Sequence, residues 1–287
     1  MSYVSSKELL LSAQRGGYAV CAFNFENMEM ALAIISAAES LRAPVILQTT
    51  PSTVKYAGLE VYSAIARSLA EKASIPVALH LDHGESFALA AAAIDAGYSS
   101  VMIDGSKFSL DENIALTRQV VEKAALSGIP VEAELGRVGG KEDSLDGGAG
   151  NYTDPADALE FVRRSSVSSL AVSIGTAHGV YSGTPVLDVA RLRAIKKTLA
   201  AAGHDIPLVL HGASGLSDKA VQECIAEGIC KVNFATELRQ AYTAGVRTVL
   251  ENDAAVFDPK KYGAAGMARV KEIVAERIKV CGSAGKA

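Results

Sequence analysis

The sequence predicts an α/β fold in which parallel strands and helices alternate around a closed (β/α)8 TIM barrel. Eight short runs rich in Val, Ile, Leu and Ala recur along the chain. Each run is followed by a longer segment in which apolar residues return every three or four positions, the spacing of an amphipathic helix. A crossover between parallel strands needs about a dozen residues, and eight such units in about 250 residues are typical of a barrel.

The predicted strands are AVCAFNF (19–25), PVILQTT (44–50), PVALHLD (76–82), SVMIDG (100–105), VEAELG (131–136), LAVSIG (170–175), PLVLHGA (207–213) and KVNFAT (231–236). An open doubly wound sheet is the alternative, but no G-x-G-x-x-G motif follows the first strand. Ser5 and Glu8 have the spacing of a capping box and predict an extra helix before the first strand. A C-terminal helical extension is expected after the last strand.

Composition excludes several classes of protein. The 287 residues are 49% hydrophobic and 21% charged with no compositional break, so we expect residues 1–287 to form a single domain. A net charge of −4 without a basic stripe argues against nucleic acid as a partner. The polar N-terminus does not resemble a signal peptide, and no long apolar run predicts a membrane partner. The four cysteines form no C-x-x-C pair, which favours reduced thiols in a cytoplasmic protein.

Polar residues gather at the predicted strand ends, where barrels of this type carry their chemistry. They are Asn24, Thr50, Asp82, His83, Asp104, Glu132, Glu134, His178, His211 and Asn233. Three imidazoles with one coordination position left open suit a catalytic Zn²⁺. The sequence therefore predicts a metal site at the barrel rim, with carboxylates beside it.

The stretch HLDH leaves the choice of ligand open between its two histidines. In a regular strand, His80 shares a face with Asp82 and lies opposite His83. Because the strand ends here, the pattern alone does not separate His80 from His83 as the ligand. Packing or support of the site is the expected role of His80, and His204 is expected at the surface.

The loops after the seventh and eighth strands, 211–217 and 233–238, are where this fold usually holds phosphate. Gly212 would let backbone N–H groups approach an anion, Ser214 adds a hydroxyl, and Thr236 is expected to cap the next helix. An ordinary strand–turn–helix with a capping residue is the alternative.

The segment 136–155 has low hydrophobicity and six glycines, which favours a mobile lid over the site. Glu142 is the base that such a lid would deliver. A solvent-exposed acidic loop is the alternative interpretation.

Six motifs, in this order, closely resemble those of the class II, zinc-dependent ketose-bisphosphate aldolases: AFNFEN, HLDHG, VEAELGRVGGKED, IGTAHG, VLHGASG and KVNFATEL. The likeness covers almost the whole chain and is greater to the tagatose-bisphosphate branch than to fructose-bisphosphate aldolases. It implies reversible cleavage of a ketose 1-phosphate or 1,6-bisphosphate to dihydroxyacetone phosphate and an aldehyde such as glyceraldehyde 3-phosphate. It also implies Zn²⁺, a monovalent cation (Na⁺ or K⁺) at the phosphate site, and a homodimer or homotetramer.

The same resemblance implies a role for each matching residue. The metal-site residues would be His83, His178 and His211, with Glu134 and Asp104 near the metal when substrate is absent. The catalytic residues would be Asp82, Glu142, Asn24 and Thr50. The contacts to dihydroxyacetone phosphate would be Gly179, Gly212, Ala213, Ser214, Asn233, Phe234, Ala235 and Thr236. Asp82 would serve the C4 hydroxyl, and Glu142 would move the C3 proton.

One stretch departs from the family pattern. Members that handle bisphosphates usually carry an Arg in a stretch resembling DPRYYMRVG, which grips the distal phosphate in a neighbouring subunit. Here the stretch is DPKKYGAAG, and Ala264 occupies the aligned position. Lys260 or Lys261 could supply a positive charge in its place, but a flexible ammonium group lacks the paired N–H donors of arginine. A ketose 1-phosphate without a C6 phosphate is therefore the alternative substrate.

Three other functions are weaker alternatives. A zinc hydrolase of the amidohydrolase type should show H-x-H at the end of the first strand, where this chain has AFNF. A Schiff-base aldolase needs a buried Lys at a strand end, but Lys231 opens the eighth strand and Lys107 lies past the fourth. A non-catalytic metal-binding barrel that serves as a partner subunit is the non-enzyme alternative, and loss of zinc ligands would be its sign.

Overall fold

A computed structural model describes residues 2–142, 145–148, 151–181, 183 and 185–287, and gives only the main chain for 141, 142 and 145–148. Within these residues, eight parallel strands form a closed barrel. The barrel strands are β1 (Val20–Asn24), β2 (Val45–Thr49), β3 (Val77–Gly84), β4 (Ser100–Ile103), β5 (Val131–Leu135), β8 (Ser169–Val172), β10 (Leu208–Leu210) and β11 (Ile229–Phe234). Three short strands stand outside it: β6 (Gly139–Glu142), β7 (Leu145–Gly148) and β9 (Ala177–His178).

The closure of the barrel confirms the predicted fold class. Around the barrel the order is β1, β11, β10, β8, β5, β4, β3 and β2, so first and last strands are neighbours. Ala22 in β1 pairs with Asn233 on one side and with Ile46 on the other. All eight predicted strands are present. The largest shifts in bounds are at β8 and β10, which each end three residues early, at Val172 and Leu210, while β11 begins two residues early at Ile229.

Helices cover the outside of the barrel and its amino-terminal end. They are α1 (Ser6–Gly16), α2 (Met28–Ser40), α3 (Pro51–Ala57), α4 (Leu59–Lys72), α5 (Phe87–Asp95), α6 (Leu110–Ala125), α7 (Pro155–Ser165), α8 (Val189–Ala201), α9 (Asp218–Ala226), α10 (Thr236–Asn252) and α11 (Pro259–Val280). Ser5 caps α1, but its hydroxyl accepts from Lys7 N, so the capping box predicted with Glu8 is not observed. Leu10 of α1 is 3% exposed among apolar side chains at the barrel floor. Burial of one such leucine stabilises the fold by about 1.5–3 kcal/mol.

The C-terminal extension is the long helix α11, which packs against α10 and α2. Gly245 on α10 lets the two helices approach closely, because a Cβ atom there would collide with the carbonyl oxygen of Ala265. The end of α11 is fixed to the first barrel strand by a hydrogen bond from Ala19 N to Cys281 O of 3.0 Å. All four cysteines are free and buried. None of the described helices is long and apolar enough to cross a membrane.

The structure corrects the interpretation of 136–155 as a loop without regular structure. β6 and β7 form an antiparallel hairpin, and β6 also pairs with β9. Glycines obscured these strands in the sequence, because they lower both hydrophobicity and strand propensity. The hairpin brings this segment next to His178, at the carboxyl ends of the barrel strands.

Candidate active site

A bulge at the end of β3 determines where both Asp82 and His83 point. Pairing between β3 and β4 shifts between Leu81 and Gly84. His83 has φ 49°, in the left-handed region that a non-glycine residue seldom adopts. In a regular strand the side chains of Asp82 and His83 would point to opposite faces. Because the strand is irregular here, both side chains point to the same side. Both side chains therefore reach the barrel mouth.

The three histidines predicted as ligands lie together at this mouth. The His83 ring centroid is 4.9 Å from that of His178 and 4.6 Å from that of His211, and the last two are 6.0 Å apart. One ring nitrogen from each lies within 4.8 Å of the others. His211 directly follows β10. His178 was expected at the end of the sixth barrel strand, β8. It lies six residues beyond that strand, in β9.

Two carboxylates adjoin the imidazoles, as predicted. Asp104 Oδ2 lies 2.9 Å from His83 Nδ1, and Glu134 Oε2 lies 3.2 Å from His211 Nδ1. His83, Asp104 and Glu134 also form a second group with potential ligand atoms within 4.8 Å of one another. Glu134 is held in place by a hydrogen bond from Val138 N to Oε1 of 3.0 Å.

This donor set fits a metal ion. His211 Nδ1 and Glu134 Oε2 are buried, and neither makes a hydrogen bond of good geometry with the described residues. The other nitrogen of His211, Nε2, is engaged by Glu132 Oε1 at 2.9 Å. A carboxylate behind a ligating imidazole orients the ring and raises its basicity. Nitrogen and oxygen donors of this kind suit zinc.

A column of buried polar groups supports His211 from below. Lys231 Nζ lies 2.9 Å from Glu132 Oε2, and His80 Nε2 lies 3.7 Å from the same oxygen. His80 Nδ1 is 2.7 Å from Ser100 Oγ, so His80 supports the site rather than joining the three-histidine group. Lys231 opens the predicted eighth strand and was therefore not expected near the site, but it is the third residue of β11. Its alternation with Asn233 already indicated an inward side chain.

Burial and neighbouring charge together set the protonation of this column. Burial, with help from Lys231, lowers the pKa of His80 to about 3. Burial also opposes charge on His211, but the hydrogen bond to Glu132 and the adjacent Glu134 carboxylate outweigh it and raise the pKa of His211 to about 9. Burial would raise the pKa of Glu132, but Lys231 and His211 overcome it and lower that pKa. His80 is therefore a neutral imidazole, and Glu132 is a carboxylate.

Asp82 lies at the centre of the mouth and is held by three amides. Asn24 Nδ2 and Gln48 Nε2 each donate to Oδ2 at 3.1 Å, and Asn233 Nδ2 donates to Oδ1 at 2.9 Å. Burial would raise the pKa of Asp82, but His83, followed by His211 and Lys231, outweighs it and lowers the pKa. Asp82 is therefore an ionised base in a fixed orientation. Gln48 lies inside its strand rather than at the strand end, and was not among the predicted site residues.

The predicted phosphate loops enclose a small cavity beside His178. It is lined by His178, Gly179, Gly212, Ala213, Ser214, Asn233, Ala235 and Thr236. Phe234 does not line it, because its ring is buried against Phe23 at 5.7 Å between centroids. The expectation that Thr236 caps the next helix was wrong, since α10 begins at Thr236 and has no side-chain cap. Ser214 Oγ instead accepts from Ala235 N at 3.2 Å.

Three further predicted positions have different environments. Thr50 is buried and caps α3, accepting from Thr53 N. Glu142 ends β6, but its side chain lies outside the described part of the chain. Ala264 is exposed on the second turn of α11, and Lys260 is paired with Asp258 at 2.8 Å.

Comparisons with known proteins identify the family and the fold. Residues 4–286 match the family model described as fructose-bisphosphate aldolase class-II. The crystal structure of the YdjI aldolase from Escherichia coli K12 is 38% identical, with 99% of each chain covered and a TM-score of 0.87. The fructose-bisphosphate aldolase (Fba) from Campylobacter jejuni shares the fold, at 24% identity and a TM-score of 0.85, over 100% of this chain and 97% of that one.

The family match and the TIM barrel together identify an aldehyde-lyase, an enzyme that cleaves a carbon–carbon bond. The chain belongs to the class II fructose-bisphosphate aldolase family.

Proposed function

We propose that this aldolase is zinc-dependent and cleaves a ketose 1-phosphate or 1,6-bisphosphate of the tagatose or fructose type. The products are dihydroxyacetone phosphate and an aldehyde such as glyceraldehyde 3-phosphate. The observation that carries the proposal is the position of Asp82, a buried carboxylate held by three amides beside three imidazoles.

In this proposal the phosphate end of the substrate occupies the cavity formed by the loops after β9, β10 and β11. Gly179, Gly212 and Ala235 bring main-chain groups to the cavity wall, while Ser214 and Thr236 add hydroxyls. Main-chain N–H groups at such a loop and at the start of the following helix favour an anion. A monovalent cation, Na⁺ or K⁺, would bind beside the phosphate.

His83, His178 and His211 would hold the zinc ion, with Asp104 and Glu134 as additional oxygen donors. When bound, zinc supplies Lewis-acid polarisation of the substrate carbonyl. Glu132 fixes the orientation of the His211 ring through its 2.9 Å hydrogen bond.

Asp82 accepts the proton of the C4 hydroxyl as the bond between C3 and C4 breaks. The bonding electron pair stays with C3, and the C4 oxygen becomes the carbonyl of the departing aldehyde. C3 then takes up a proton, and Glu142 is proposed to deliver it. The amides of Asn24, Gln48 and Asn233 keep the Asp82 carboxylate aimed at the reacting carbons throughout.

The alternative substrate is a ketose 1-phosphate without the C6 phosphate, and exposed Ala264 favours it because alanine offers an anion no charge. We also propose a cytoplasmic homodimer or homotetramer. The connection between α10 and α11 supports this assembly, since Phe257 is 92% exposed there. Sedimentation velocity tests the assembly, and a monomer at micromolar concentration contradicts it.

A coupled assay for dihydroxyacetone phosphate tests the reaction. Tagatose and fructose 1,6-bisphosphates and the corresponding 1-phosphates are each cleaved with and without chelator. Release that stops with chelator and returns with Zn²⁺ supports the proposal. No release from any of the four substrates, or release insensitive to complete metal removal, contradicts it.

A further inference from the structure

A polar cluster outside the metal centre occupies the remaining part of the barrel mouth. Arg239 Nε lies 2.6 Å from Glu26 Oε1, and Thr53 Oγ1 donates to Glu26 Oε2 at 2.7 Å. Thr50 Oγ1 lies 3.1 Å from Thr53 Oγ1 and 3.2 Å from Ser52 Oγ. These five residues, which we call the tail cluster, come from the loops and helix starts after β1, β2 and β11.

The tail cluster is continuous with the reacting centre. β1 lies between β2 and β11 in the barrel, so the three segments are neighbours. Glu26 follows two residues after Asn24, which donates to Asp82. Arg239 is one turn along α10 from Thr236, which lines the phosphate cavity. The metal-site residues lie in or after β3, β4, β5, β9 and β10, on the opposite part of the rim.

This arrangement sets the course of a bound ketose. In the proposed reaction its phosphate occupies the cavity, its carbonyl faces the imidazoles, and its C4 hydroxyl faces Asp82. The carbons beyond C4 must then leave the mouth over the part of the rim that the metal site does not fill. That part is formed by Glu26, Thr53 and Arg239.

We propose that the tail cluster is the binding subsite for the carbons beyond C4, and that it selects a hydroxylated tail over a phosphorylated one. This inference rests on the proposed aldolase reaction and assigns the substrate class within it. Glu26 and Arg239 select the tail, while the chemistry stays with Asp82 and the metal site.

Charge compensation is the reason for this selectivity. The Arg239 guanidinium is paired with Glu26, so the pair has no net charge to offer a phosphate, which carries about two negative charges near neutral pH. The Glu26 carboxylate would also repel a phosphate. A hydroxyl can donate to the carboxylate and accept from the guanidinium at the same time. The side chains of Arg239 and Glu26 are 27% and 31% exposed, which leaves both accessible to substrate.

Two variants test the separate contributions of Glu26 and Arg239 to substrate selection. Glu26→Gln removes the carboxylate paired with Arg239 and its repulsion of a phosphate, and should shift the ratio of kcat/KM, 1,6-bisphosphate over 1-phosphate, upward by about tenfold. Arg239→Gln removes a charged donor and should lower kcat/KM for the 1-phosphate by about tenfold. Thr53→Val, which deletes one hydrogen bond to Glu26, should shift the ratio upward by less. Glu227→Gln is the matched control, because it breaks the surface ion pair with Arg193.

A second reaction distinguishes this subsite from the rest of the site. Exchange of the C3 hydrogen of dihydroxyacetone phosphate with deuterated solvent uses the phosphate cavity and metal centre but no tail. It should proceed at the wild-type rate in all three tail-cluster variants. An unchanged kcat/KM ratio in Glu26→Gln overturns the proposed subsite but not the aldolase reaction. The same holds if a tail-cluster variant loses hydrogen exchange to the same extent as it loses cleavage. A wild-type enzyme that neither exchanges nor cleaves overturns the aldolase proposal and this inference with it.

Discussion

Lys231 and Glu132 form an ion pair inside the barrel, with Nζ and Oε2 2.9 Å apart and side chains only 1% and 2% exposed. Glu132 also contacts His211 at 2.9 Å, so the pair directly underlies a predicted zinc ligand. A buried ion pair is costly to desolvate, and its contribution to stability depends on both partners being present. Lys231 balances the negative charge that Glu132 needs in order to orient His211.

Replacement of Lys231 by Met should destabilise the protein by about 3–5 kcal/mol, because the Glu132 carboxylate stays buried without its counter-charge. Chemical denaturation measures the change. Adding Glu132→Gln to the Lys231→Met variant should restore part of the loss, since no uncompensated charge remains. Arg193→Met, which breaks an exposed pair with Glu227, is the control and should have little effect. Equal stability of Lys231→Met and wild type would contradict a structural role for the pair.

The eight strands and the gathering of three histidines were predictable, because both depend on local pattern and on the strand ends of a closed barrel. The bulge at His83 was not, because it is a register shift between β3 and β4 that neither strand encodes alone. The hairpin of β6 and β7 was also missed, since its glycine-rich strands form by pairing with β9. Lys231 was misjudged by its position at the start of the predicted eighth strand, although its alternation with Asn233 places its side chain inside the barrel.

The polar partners of the site could not be assigned from one sequence. Gln48 lies inside a predicted strand rather than at its end, and its hydrogen bond to Asp82 depends on the register of β2 against β3. The Glu26–Arg239 pair joins residues 213 positions apart. Only closure of the barrel brings the ends of β1 and β11 together.

Gly212 should not tolerate alanine. It has φ 67°, and a Cβ atom there would lie 2.6 Å from the carbonyl oxygen of Ala177. Gly212→Ala should therefore displace the loop after β10, which is proposed to bind the substrate phosphate, and raise KM for the phosphorylated substrate. Gly203 has φ 77° with nothing within 4 Å of an added Cβ, so Gly203→Ala is the matched control for backbone strain alone. Equal KM values for the two variants would show that the close approach at Gly212 is unimportant.

Asp82→Ala should retain zinc and lose most cleavage. The side chain binds Asn24, Gln48 and Asn233 and is the proposed base, but it is absent from both potential metal-ligand groups. Loss of a general base typically lowers the rate by about 10²–10⁴-fold. Metal content by atomic emission and kcat are measured on the same preparation. An unchanged rate excludes Asp82 as the base, and a loss of zinc places it among the ligands.

His211→Ala should lose both metal and activity, in contrast to Asp82→Ala. It removes one of three imidazoles and leaves Glu132 and Glu134 without their shared partner. Dialysis against chelator should reproduce the loss of activity in the wild type, and added Zn²⁺ should restore activity there but not in the variant. A His211→Ala enzyme with full zinc content would require a different ligand set.

His80 should make the protein less stable in acid. Its pKa is lowered from 6.5 to about 3 in the folded state, so between these values the unfolded chain binds a proton that the folded chain excludes. Stability is therefore lost as the pH falls below 6.5, by up to about 1.4 kcal/mol per pH unit from this one group. In His80→Gln the free energy of unfolding should fall less steeply between pH 6.5 and 4.5. His204→Gln, in the loop before β10, is the control histidine and should follow the wild type. Parallel stability curves for His80→Gln and the wild type would mean that His80 is already protonated in the fold.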